Sequence, residues 1–140
     1  DFHVIENFIT TDEENSLLQE IEPYLKRQRY ERDHWDDAIQ GFRETERKQW
    51  YPQNREVISK IIKRSFPNSI ILPHVHVLDL EATGVIKPHV DSVRFCGDTI
   101  SGISLLSDCI MKLVQSIEDP YLASNDYRTQ PKTDNKDLYA

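Results

Sequence analysis

Histidine runs out early in this 140-residue sequence: all five lie at or before position 89. Cysteine is nearly absent, with only Cys96 and Cys109. Two cysteines do not make a disulfide framework, so a reducing compartment with both as small core residues is the simpler expectation. No apolar run approaches the roughly 18 residues of a membrane-spanning helix. Positive charge is also short, with 17 Lys and Arg against 24 Asp and Glu and a formal net charge of −7. That balance disfavours a dedicated nucleic-acid grip, which needs a basic surface. Local basic runs such as "KRQRYERDHW" and "IIKRSF" read as solvated helix faces. A phosphate-cradling Walker loop, a nucleophile elbow, a Cys-x-x-Cys pair and a dinucleotide glycine pattern are all missing.

What is present suits one soluble domain: 38% hydrophobic and 29% charged residues. "DFHVIENFI" reads as an opening strand anchored by Phe2, Val4, Phe8 and Ile9. "TTDEENSLLQEIEPYL" reads as a helix. Thr11 and Glu14 form a capping-box pattern, and Leu17, Leu18, Ile21 and Leu25 share a face that Pro23 should kink or end. Residues 26–53 carry both tryptophans among many charges and are expected to drape irregularly over the core. Asn54 then caps a second helix, "REVISKIIKRSF", with Val57, Ile58, Ile61, Ile62 and Phe66 as its buried stripe. Strand composition follows in "IILPHVHVLDL", "VIKPHVDSV", "GDTISGISLLS" and "CIMKLVQSI", with "EATG" as the turn between the first two. Helices first and strands later predict an α+β fold, a β-sandwich or barrel with helices on one side. Residues 118–140 are polar and without periodicity, which predicts a disordered tail. The chain opens on Asp1, so any targeting segment has been removed or lies outside it.

The candidate chemistry centres on His89-Val90-Asp91. An imidazole and a carboxylate two residues apart share one face of an extended chain, as two metal ligands on one strand must. Spacing alone leaves a bland alternative open: a strand-end aspartate facing water beside a packed histidine. The sequence holds its own control, since His34-Trp35-Asp36 repeats the pattern in the charged segment, where His34 reads as a surface or packing residue. His74 and His76 also share a strand face, and read as its wetter side because no third ligand is indicated.

The run "HVLDLEATGVIKPHVDSVRFCGDTISGISLLSDCIMKLV", with "YERDHWDDAIQGFRETER" upstream, resembles the AlkB-homologue dioxygenases, and among them the mitochondrial branch. The resemblance covers about residues 1–117, which would form the N-terminal part of an AlkB-like domain ahead of the divergent 118–140. It implies a partial double-stranded β-helix, or jelly roll, with N-terminal helices buttressing the sheet. It implies Fe(II) as metal, 2-oxoglutarate as co-substrate and the mitochondrial matrix as address, and links to fatty-acid metabolism and programmed necrosis. By resemblance His89 and Asp91 match the first two iron ligands.

Two departures accompany it. Nucleic-acid demethylases of the family carry Asn-x-Tyr before the motif, where this chain has Leu78 and Leu80. The family's distal histidine ligand and its 2-oxoglutarate-binding arginine lie downstream, where residues 118–140 offer only Arg128 and no histidine. Asp108, Glu118 and Asp119 are the substitute third ligands at hand, without support from spacing. No catalytic or keto-acid-binding residue is assigned. The substrate class stays between an unknown protein and a mitochondrial RNA base. The alternative is a truncated or splice-form, non-catalytic fragment acting as a protein-binding module. A third reading is a helical and aromatic protein-binding module made by residues 1–66 and supported by the sheet, which an exposed Trp35 or Trp50 would favour, although both are expected to pack onto the sheet.

Overall fold

The computed structural model describes residues 2–32 and 38–115, and the chain divides into two compact units, Asp1–Pro88 and His89–Ala140. The class is α+β. The described residues hold a two-stranded antiparallel sheet and three helices, in the order α1 (Thr11–Leu25), β1 (Ile39–Arg47), α2 (Pro52–Ser65), β2 (Val75–Ile86) and α3 (Val93–Cys96).

In the first unit α1 starts one residue earlier than its sequence pattern suggests. Thr10, not Thr11, is the N-cap: its hydroxyl accepts the Glu13 N–H at 3.1 Å, and Glu13 returns a carboxylate to the Thr10 N–H at 2.8 Å. Both threonines have a glutamate three residues on, so the frame is set by packing. It turns Leu17, Ile21 and Leu25 inward together with one charged residue, Glu20. Pro23 sits in the last turn and the helix closes two residues later, where the Lys26 N–H meets the Glu22 carbonyl.

The opening segment is not a strand: residues 2–9 lie outside the sheet, and Phe2, Val4 and Ile5 are exposed. Within residues 26–53, conversely, β1 forms where an irregular drape was expected. Its anchor is Phe42, which has 0% of its surface exposed. A strand this charged is held by its neighbours: Arg43 donates to Asp79 Oδ2 at 2.7 Å across the ladder and to the Leu25 carbonyl at the end of α1. Tyr30 joins the same carboxylate at 3.0 Å, with the Arg43 guanidinium 4.6 Å above its ring. Desolvation first, and the Asp79 hydrogen bond second, raise the Tyr30 phenol above its ordinary pKa of 10.0. Trp35 lies outside the described residues, whereas Trp50 is half-buried, with the Arg47 guanidinium 5.3 Å from its ring.

"EATG" is not a turn. β2 runs straight through it, because Gln40 pairs with Val85 and Phe42 with Leu80. Glu81, Ala82, Thr83 and Gly84 therefore bulge opposite the single Gly41, which takes a left-handed φ of +65°. The two glycines let the backbones close up: a Cβ on Gly84 would lie 2.5 Å from the Gly41 carbonyl oxygen.

Asn54 does not cap α2. The helix begins at Pro52 with Tyr51 as N-cap, and Tyr51 supplies no side-chain cap. Asn54 lies in the first turn, fully buried, and donates to Glu20 Oε2 at 2.6 Å and to the Ser16 carbonyl at 3.0 Å. Glu20 also accepts the Tyr51 N–H and the Arg47 guanidinium, the latter at 2.7 Å. One buried carboxylate thus ties α1, β1 and α2 together around Leu17, Ile21, Leu25, Ala38, Phe42 and Val57. Fully burying each large apolar side chain contributes about 1.5–3 kcal/mol.

The second unit has less regular structure. The one helical turn among its described residues, α3, follows Ser92, whose carbonyl accepts the Phe95 and Cys96 N–H groups. Neither "GDTISGISLLS" nor "CIMKLVQSI" forms a strand among the described residues. Strand composition becomes a strand only against a ladder partner. Here the run is broken by left-handed backbone at Gly97 and Leu106, and most of its apolar side chains face solvent, with Ile110 99% exposed and only Ile103 and Leu105 half-buried among the described residues. Both cysteines are free, as expected, but exposed rather than in the core. The tail expected over 118–140 lies outside the described residues.

Candidate metal centre

The ladder of β2 ends at Ile86, and the last link to the neighbouring chain is the Lys87 N–H to the Ala38 carbonyl at 2.7 Å. Pro88 has no N–H to extend it. His89 and Asp91 therefore lie just past the strand, in a non-helical stretch before α3, and not on a strand as the sequence suggests. The structure still brings them together. His89 Nε2 and Asp91 Oδ1 are 3.6 Å apart, with side chains 35% and 53% exposed. Two donors each about 2.0–2.2 Å from one ion, at a right angle, lie about 3 Å apart, so the pair fits two adjacent positions of a metal with a small adjustment.

A complete site needs more than the pair supplies. Among the described residues no group of three or more His, Cys, Asp or Glu is arranged to hold a metal. Asp108 is exposed in irregular chain, and Glu118 and Asp119 lie outside the described residues. Cys96, at the end of α3, has its thiol lifted above the ordinary value of 9.0 by desolvation and then by the Asp91 charge. The described residues thus fit two legs of a metal triad and do not fit the whole of one.

The other candidates sort as follows. His34 and Asp36 lie outside the described residues. His76 is on the wet face of the sheet, as expected, and its Nε2 meets Glu44 Oε2 at 2.7 Å across the strands. His74 is exposed just before β2. Leu78 and Leu80, where related demethylases have Asn and Tyr, sit opposite Glu44 and Phe42 on β2 and offer no hydrogen bond to a keto acid.

The side-chain group that sequence reading missed is the buried set around Glu20. A glutamate between Leu17 and Ile21 on an otherwise apolar helix face is the signal that marks it. Arg47 is clamped there between the rings of Tyr24 and Trp50, at 4.4 and 5.3 Å. Desolvation pulls its pKa down, but Tyr24 and Glu20 outweigh it, so the guanidinium holds its proton more tightly than usual. This set is an anchor for three elements, in which Arg47 Nε, Trp50 Nε1 and Asn54 Oδ1 are buried without a hydrogen-bond partner among the described residues.

No family model matches the chain. Two curated relatives do, each over 112 residues at 53% identity: the Bos taurus and Mus musculus proteins named alpha-ketoglutarate-dependent dioxygenase alkB homolog 7, mitochondrial. The match takes in 79% of this chain and 51% of each relative, so the chain spans about half the length of the relatives it matches. The resemblance expected from the sequence is therefore real and partial, and the relatives' names carry the expected mitochondrial address.

Proposed function

Starting from this partial relation to the mitochondrial alkB homologues, we propose that the chain carries the amino-terminal, metal-binding part of an AlkB-like Fe(II)- and 2-oxoglutarate-dependent dioxygenase domain. The observation that carries the reading is the 3.6 Å approach of His89 Nε2 to Asp91 Oδ1. In this reading His89 and Asp91 are two of the three protein ligands of the iron. The β1–β2 pair belongs to a jelly-roll sheet, α1 and α2 buttress it, and the domain part runs to about residue 117. Bound there, iron with 2-oxoglutarate and O2 would supply the oxidising power for C–H hydroxylation: one oxygen atom of O2 would go to the substrate C–H bond and the other to the keto acid, which would leave as succinate and carbon dioxide. This chain's own residues would hold two coordination positions, and it carries Leu78 and Leu80 where the demethylases of the family have Asn-x-Tyr. That difference favours a substrate other than a classical damaged base: a protein side chain, or a mitochondrial RNA base held differently. The mitochondrial matrix is the compartment of this reading, and fatty-acid metabolism and programmed necrosis are its cellular setting.

A second reading is favoured by one observation: no third donor stands with the pair among the described residues. The chain is then a non-catalytic partner-binding form. One titration separates the two. Fe(II) is added anaerobically to the folded 140-residue chain, with and without 2-oxoglutarate. A visible charge-transfer band that needs 2-oxoglutarate and is lost in His89→Ala supports the dioxygenase site. A folded chain that develops no band overturns it and leaves the partner-binding form.

A further inference from the structure

We draw no further inference here: the strongest candidate, the exposed apolar patch of Ile100, Leu106, Ile110, Met111, Leu113 and Val114 in the second unit, carries nothing because nothing in the structure shows what covers it.

Discussion

The Glu20 carboxylate accepts the backbone N–H of Tyr51, at 3.0 Å through Oε1 and 3.1 Å through Oε2, so a side chain of α1 caps the start of α2. A helix start without its own cap leaves N–H groups unpaired and favours a negative charge beside it. Glu20 meets both needs from another element, and its charge is matched by Arg47 at 2.7 Å.

Removing that carboxylate leaves a largely buried guanidinium without its partner. Breaking a buried ion pair from one side costs about 3–5 kcal/mol. Glu20→Ala is expected to lose an amount in that range, and Glu20→Gln less, because the amide oxygen still accepts from Tyr51 or Asn54. Urea unfolding followed by circular dichroism reads the difference as a fall in midpoint. Equal stability of Glu20→Ala and the parent would sink the three-element anchor.

The bulge gives a second stability test. Gly84→Ala puts a methyl where the Gly41 carbonyl oxygen already sits, 2.5 Å away, and backbone on both sides must move. Gly41→Ala forces a side chain onto a φ of +65°. Each is expected to cost on the order of 1–3 kcal/mol. Gly97→Ala shares the left-handed φ, at +67°, but its Cβ meets nothing within 4 Å, so it isolates the backbone term. Thermal unfolding should rank Gly84→Ala below Gly97→Ala; the reverse order would argue against close approach of the two strands.

Acid sensitivity should involve Glu13. The Thr10 N–H first, and Lys60 at 2.9 Å second, hold its carboxyl below the ordinary 4.5. A depressed carboxylate binds more protons unfolded than folded near pH 4, so its contribution to stability is present above about 4.5 and is lost as pH falls through the lower folded value. Glu13→Gln should flatten the acid limb of a stability-against-pH curve below that point. An unchanged limb would show that the cap and the Lys60 contact contribute nothing in solution.

The two helices were legible because their information is local. Capping residues and apolar spacing mark α1 and α2 within a turn of their true starts: α1 is off by one residue, at Thr10, and α2 by three, because the Asn54 amide is taken up by Glu20 and the Ser16 carbonyl. β1 was not legible, since its residues are mostly charged or polar and it becomes a strand only by pairing with β2. "EATG" misled for the same reason: glycine at a hairpin turn and glycine at a bulge look alike until the facing residue, Gly41, is known. His89 and Asp91 stood out as a pair from spacing. Their place beyond the strand follows from Pro88, which ends the ladder that would have carried them. The strands expected after residue 97 lack a ladder partner among the described residues, and composition alone cannot supply one.

Metal binding gives the sharpest comparison, because the described residues hold two histidine–carboxylate pairs with different geometry. His76 and Glu44 sit 2.7 Å apart in a direct hydrogen bond on the wet face of the sheet. His89 and Asp91 sit 3.6 Å apart, wide enough for both to turn toward one ion. Fe(II) affinity measured anaerobically by calorimetry should therefore fall below detection in His89→Ala and in Asp91→Asn, and be unchanged in His76→Ala. The His76 variant loses only an exposed pair, which contributes about 0–1 kcal/mol to stability, so it serves as a folded control. A loss in His76→Ala equal to that in His89→Ala would move the metal to the sheet face and refute the assignment. Cys96→Ser, which removes the thiol near Asp91, should leave the affinity unchanged; a loss would place the thiol among the ligands.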